Sequence, residues 1–142
     1  LCMQHNCWNQ FEEAIKDLNQ AQKLEPKDPE NNYSRGFAYR RLGKNDQAIQ
    51  DYSEAIKLQP KSAEAYNNRA NAYSLLGRYD EAVKDYDEAI KLEPKNARIY
   101  ANRGVIRARQ GKSDDAQTDF KKAMELDSAL KSKLEPLMTP VK

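Results

Sequence analysis

The chain has 142 residues, with 24 Lys plus Arg against 22 Asp plus Glu and a formal net charge of +2. A balance this close gives no general attraction to nucleic acid or to an anionic membrane, and acidic residues interrupt every basic cluster. Mean hydropathy is −1.02 with 32% charged residues, yet apolar residues recur regularly, so a folded domain with a thin core is expected, and no apolar run approaches the roughly 18 residues of a membrane span.

The opening stretch LCMQHNCWNQ lacks the basic start and apolar centre of a secretory leader. The chain begins on Leu1, so it is expected to be a fragment. Cys2 and Cys7 lie five residues apart and do not share a helical face. With His5 between them they match no standard zinc spacing. No metal and no cofactor are expected. Ordinary thiols are, which suits a reducing, cytoplasmic setting.

From residue 10 onward the chain repeats itself every 34 residues. Ala14, Ala48, Ala82 and Ala116 form one column, and Leu18, Tyr52, Tyr86 and Phe120 the next. Ala21, Ala55, Ala89 and Ala123 follow, then Leu24, Leu58, Leu92 and Leu126. Steps of four, three and three put these groups on one face of a helix. Pro26, Pro60 and Pro94 close the units, with Ser128 in that place at the end.

The other half of each unit reads as a second helix. Its small column is Gly36, Ala70 and Gly104, followed by Tyr39, Tyr73 and Arg107, and it stops at Gly43, Gly77 and Gly111, where glycine can take the left-handed cap. Asp28, Ser62 and Asn96 are expected N-caps of these first helices. Asn45 and Ser113 are expected caps of the second helices, whereas Tyr79 in the middle unit cannot be one. The small column lets a first helix approach the alanine column of its partner. No unit can bury its face alone, so neighbours must stack.

The period, the Gly/Ala–Tyr pair, the inner-turn glycine, the Ala–aromatic–Ala triplet and the closing proline resemble the tetratricopeptide repeat family, over about residues 8–128. Departures are Asn32, where Tyr66 and Tyr100 are aromatic, Arg107 for tyrosine, and Ser128 for proline. The resemblance implies an all-α fold of antiparallel helix pairs stacked in a right-handed superhelical solenoid. Residues 1–26 are expected to hold a partial repeat, with its second helix at about 10–24. Full repeats are expected at 27–60, 61–94 and 95–128. A capping helix and tail should occupy 129–142, with Leu130, Leu134 and Leu137 at helical spacing and an end near Pro136.

Arg35, Arg69 and Arg103 recur in the first helices, and Asp17, Asp51, Asp85 and Asp119 in the second. Each arginine precedes an aspartate by sixteen residues, which predicts ion pairs that fix helix register.

In such a superhelix the resemblance implies that first helices line the concave side. The expected peptide-binding residues are Ser34, Phe37 and Arg41, then Asn67, Asn68 and Asn71, then Arg98, Asn102 and Arg109. Glu30, Tyr33, Glu64, Leu75, Ala101 and Val105 lie beside them. Asparagine is a poor helix former, but its amide offers donors and an acceptor to an extended peptide backbone. The Asn68/Asn102 column is similar to the asparagine ladder of peptide-binding repeats in O-linked sugar transferases. The carboxylate clamp of chaperone-tail-binding repeats fits poorly: Asn68 and Arg98 match it, whereas Tyr33, Phe37 and Asn102 do not. Arg41, Arg98 and Arg109 still favour an acidic peptide. Glycines fall at turns and packing columns, not in a phosphate loop, and no catalytic residues are expected. The function read from the sequence is a non-catalytic protein–protein interaction scaffold, an adaptor or co-chaperone-like module that binds an extended peptide in its groove. The alternative is an assembly module that self-associates through the open ends of the array.

Overall fold

The computed structural model describes residues 4–138. Within them run α1 (Gln4–Leu24), α2 (Pro29–Arg41), α3 (Asn45–Leu58), α4 (Ala63–Leu75), α5 (Tyr79–Leu92), α6 (Ala97–Arg109), α7 (Ser113–Leu126) and, after a 3-10 turn at Ser128–Leu130, α8 (Lys131–Met138). No strand occurs among the described residues. Each helix packs on its neighbours in sequence, with α2 on α3, α4 on α5 and α6 on α7 as the tightest pairs. The result is an all-α solenoid. Among the described residues no helix is long and apolar enough to cross a membrane.

The first helices start where side chains can cap them. Asp28 accepts from the Glu30 N–H at 2.9 Å, Ser62 from Ala65 at 3.2 Å and Asn96 from Arg98 at 3.2 Å, each cap contributing about 1 kcal/mol. Their ends are fixed by glycine at φ 77°, 75° and 80° (Gly43, Gly77, Gly111). At the first of these turns Gly43 N–H donates to Arg40 C=O at 3.0 Å and Lys44 N–H to Tyr39 C=O at 2.9 Å. That pairing satisfies the last carbonyls of the helix. The same turn supplies the start of the following helix. Lys44, Arg78 and Lys112 are its N-caps and make no side-chain cap bond. Asn45 and Ser113, expected as caps, are therefore the first residues inside their helices. The middle unit starts no differently from the others.

The small column is dictated by the aromatic column more than by the alanines. A Cβ on Gly104 would lie 2.7 Å from the Phe120 ring, and one on Gly36 3.0 Å from the Tyr52 ring. Tyr52, Tyr86 and Phe120 are fully buried, as are the alanines around them. The leucine column fares otherwise. Leu58 and Leu92 stand at helix ends with more than a third of their surface exposed, and Leu24 is 83% exposed, so this fourth column is rim rather than core.

α1 runs unbroken from Gln4, ahead of the start expected near residue 10, because no Gly or Pro interrupts it. Cys7 is buried and disulfide-bonded, which corrects the expectation of a thiol there. Cys2 and the His5 side chain lie outside the described residues. At the other end α8 passes through Pro136 to Met138 instead of stopping near the proline. Leu134 is buried there with Leu130 and Met138 against Phe120 and Ala123, while Leu137 faces solvent. Within α8 the step of four from Leu134 to Met138 faces inward, and the step of three to Leu137 does not. Residues 139–142 of the expected tail lie outside the described residues.

The arginine column closes the structure. Arg35, Arg69 and Arg103 each grip an aspartate sixteen residues on (Asp51, Asp85, Asp119) through Nε and Nη2, at 2.7–3.0 Å. The remaining Nη1 reaches back to the preceding second helix: Asn19 at 2.9 Å, Ser53 at 3.0 Å and Asp87 at 2.8 Å. One guanidinium thus ties three helices. Arg107, at the departure from tyrosine, adds its Nη1 to Asp119 at 3.0 Å. Hydrogen bonds to Asp85 raise the Arg69 guanidinium, while burial pushes the Asp85 carboxyl above its ordinary range against the pull of Arg69. Truncating Arg69 would strand that carboxylate in the interior. Arg69→Ala is expected to cost about 3 kcal/mol in urea unfolding, while a bound peptide loses little affinity. An unchanged unfolding midpoint would contradict this.

Candidate functional site

α2 meets α4, and α4 meets α6, more closely than any two second helices meet. The array therefore curves with the first helices inside, and their free sides form one concave wall. Polar side chains bridge this wall from repeat to repeat. Asn68 Nδ2 donates to Tyr33 Oη at 2.6 Å, and Asn102 Nδ2 donates to Asn67 Oδ1 at 3.2 Å, each a step of 35 residues. Asn67 and Asn68 are consequently buried. An amide inside a helix is costly when it competes for backbone groups; here it is bound to the next helix instead.

Two adjoining hollows open on the wall. The first, about 340 Å³, lies between Tyr33, Phe37 and Glu64 on one side and Asn67, Asn68 and Arg98 on the other. The second, about 260 Å³, is bounded by Ser74, Leu75, Tyr86, Val105, Ile106 and Arg109. Arg40, Asn71 and Asn102 line both. Tyr86 Oη donates to Asn71 Oδ1 at 2.5 Å. Burial pushes the Tyr86 phenol up to about 12 and, aided by Glu64, raises that of Tyr33 further.

Of the nine residues expected to bind peptide, Phe37, Asn67, Asn68, Asn71, Arg98, Asn102 and Arg109 line these hollows. Ser34 and Arg41 line neither. Ser34 Oγ donates to Glu30 at 3.4 Å, and the Arg41 guanidinium lies over the Phe11 ring of α1, 5.4 Å from its centroid. The sequence reading missed Arg40 and Tyr86. Arg41 shares its repeat column with Leu75 and Arg109, which do line the second hollow; in the first repeat the Phe11 ring of α1 takes the guanidinium instead. Tyr86 was assigned to the core, where its ring lies; its hydroxyl emerges on the concave side.

The arginines divide into two groups. Arg35, Arg69, Arg78, Arg103 and Arg107 hold carboxylates. Arg40, Arg41, Arg98 and Arg109 have no carboxylate partner among the described residues. All four sit on first helices. No group of three His, Cys, Asp or Glu side chains that could hold a metal occurs among the described residues.

Family models described as "Tetratricopeptide repeat" match residues 63–96 and 85–118, and one described as "TPR repeat" matches 9–43 and 38–77. No curated protein matches the sequence. Among solved structures, the protein MamA superposes with a TM-score of 0.80 at 29% identity, over 87% of this chain and 71% of MamA. The TPR domain of Arabidopsis OM64 superposes with a TM-score of 0.74, also at 29% identity, over 78% of this chain and 93% of that domain.

The buried phenols make the wall sensitive to alkali. An unfolded tyrosine ionises near pH 10, whereas folded Tyr86 holds its proton to about 12. Its contribution is complete below the unfolded value and is lost as pH rises toward the folded one. Raising the pH from about 9 to about 11.5 is expected to lower the melting temperature of the wild type more than that of Tyr86→Phe. Equal losses would contradict this.

Proposed function

The chain belongs to the tetratricopeptide repeat family, and on that premise we propose that its concave wall holds an extended peptide segment of a partner protein. Members of the family act as protein-interaction scaffolds, and the repeats here supply such a framework. The observation that carries the peptide reading is the residual capacity of the amide column. Asn68 and Asn102 each spend one N–H on the neighbouring helix. Each retains a second N–H and a carbonyl oxygen, the pair that a peptide backbone complements. The two hollows beside them are continuous through Arg40, Asn71 and Asn102, which gives a peptide a path across all three first helices. The unpaired guanidiniums of Arg98 and Arg109 favour a segment with acidic side chains.

The scaffold is read as non-catalytic. Beside the lone Glu64 carboxylate, its groove is lined by amides, which do not titrate, by guanidiniums, and by phenols that burial pushes up. None of these is poised to exchange a proton near neutral pH. The test is a peptide-library screen by fluorescence anisotropy. Peptides retained by the wild type are expected to lose at least about tenfold affinity in the Asn68→Ala/Asn102→Ala protein, or about 1.4 kcal/mol, with its helicity intact. Retained affinity in that variant would overturn the reading.

A second reading, association through the open end of the array, rests on α1. Ala14, Leu18 and Ala21 are only partly covered there, whereas their counterparts Ala48, Tyr52 and Ala55 are buried, and Trp8 is 55% exposed. A stripe of this kind buries surface when it stacks on another chain. Sedimentation is expected to reveal a concentration-dependent dimer that Leu18→Lys abolishes; a wild-type monomer at every concentration would contradict it.

A further inference from the structure

We propose that the hollow between Arg40 and Arg109 is an oxyanion subsite, which seats a negatively charged side chain of the bound segment. The inference rests on the peptide-groove reading and adds to it the place and chemistry of one contact. Its walls come from three repeats: Arg40 from α2, Asn71 and Ser74 from α4, and Arg109 from α6.

Donors dominate this hollow. Arg40 has no carboxylate partner; its guanidinium rests on the Phe37 ring at 5.4 Å, and its Nε is buried without a hydrogen-bond partner. A guanidinium carries only donors; the Tyr52 hydroxyl within the chain interacts with Arg40, and the remaining N–H groups are left for an acceptor on a ligand. The Asn71 carbonyl oxygen is occupied by the Tyr86 hydroxyl, which leaves its two amide N–H groups for a ligand. Ser74 directs its hydroxyl hydrogen to the Ala70 carbonyl at 2.9 Å. Arg109 stands across the hollow, also without a carboxylate. Both guanidiniums line this hollow, and both favour the ionised Tyr86 phenol against the larger effect of burial. No Asp or Glu lines the hollow.

The surroundings strengthen the contrast. Leu75, Val105 and Ile106 supply an apolar lining, against which a charge-assisted hydrogen bond is worth more than in bulk water. At the opposite end of the first helices Glu30 and Glu64 flank Tyr33. The groove thus has an acidic rim at the helix starts of the first two repeats and a basic cleft at the helix ends. A bound segment would place its negative side chain over the cleft and keep it away from the glutamates. Elsewhere in the chain the same residue type is neutralised internally, as Asp119 receives both Arg103 and Arg107. Arg40 and Arg109 are left for a ligand.

The test is a titration followed through arginine Nε–Hε resonances. The probes are a capped tetraglutamate peptide, its tetraglutamine counterpart and a capped phosphoserine peptide. Tetraglutamate is expected to shift Arg40 and Arg109 saturably while Arg35 and Arg69 stay in place. Tetraglutamine should leave all four unmoved. Arg40→Gln combined with Arg109→Gln should weaken tetraglutamate at least about tenfold, because charge-assisted bonds are lost. If phosphoserine binds about tenfold tighter than glutamate, the seated oxyanion is a phosphoryl group; if not, it is a carboxylate. Silence at Arg40 and Arg109 with both charged probes, or equal shifts with tetraglutamine, would overturn the subsite. Loss of library peptides in Asn68→Ala/Asn102→Ala together with silent arginines leaves the groove and removes the subsite. Arginine shifts that persist while the asparagine variant keeps its library peptides would do the reverse.

Discussion

In each repeat one guanidinium is shared by three helices, the third belonging to the preceding repeat. The five donors of arginine lie in a plane, and two of them fit the two oxygens of a carboxylate. That geometry allows Arg69 to take Asp85 side-on while its third nitrogen turns back to Ser53. A lysine in that place would hold one partner without orienting it. The grip sets the rotation of each first helix against its own partner and against the previous repeat. Packing alone would leave that rotation loose, since the contacts around it are alanines and one aromatic ring. The cost of burying the charges is offset only while both partners are present, so the column acts as a register device.

Register is what gives the concave wall its chemistry. With the first helices fixed in rotation, Asn68 meets Tyr33 and Asn102 meets Asn67 at the same offset. A turn of one residue would put other groups there. The amides that weaken α4 as an isolated helix become crosslinks once α2 and α6 lie beside it. The arginine column of the three first helices and the asparagine column of α4 and α6 are two ladders of the same stack. The first is fully consumed by internal partners. The second keeps donors and an acceptor in reserve, and Arg40, Arg98 and Arg109 keep their charge. This division of labour separates the part of the molecule that holds shape from the part that can hold a ligand.

The repeat unit was legible in the sequence because each of its signals is local. Asp28, Ser62 and Asn96 cap the helices they precede, glycine takes the left-handed turn, and Arg–Asp spacing of sixteen residues crosses one helical hairpin. What failed depended on phase or on neighbours. Asn45 and Ser113 look like caps, but the glycine turn already orients the following helix and moves the cap to Lys44 and Lys112. Leu137 has helical spacing from Leu134, but α8 turns Met138 inward and leaves Leu137 exposed. Arg41 stands in the column of Leu75 and Arg109, which line the second hollow, but its guanidinium lies over Phe11 of α1, a contact that its column does not announce. That Asn68 is already bound to Tyr33 could not be read from either residue, since the contact spans 35 positions and depends on curvature.

The central claim is that a single guanidinium couples one repeat to the next. The most direct measurement is a double-mutant cycle between Arg103 and Asp87, whose Nη1–Oδ1 distance of 2.8 Å crosses the interface between repeats. Unfolding free energies of Arg103→Gln, Asp87→Asn and the double variant give their coupling. A favourable coupling of about 1 kcal/mol or more is expected, within the range for residues in one hydrogen-bonded network. Additive effects would contradict the claim and leave alanine and aromatic packing as the only source of register.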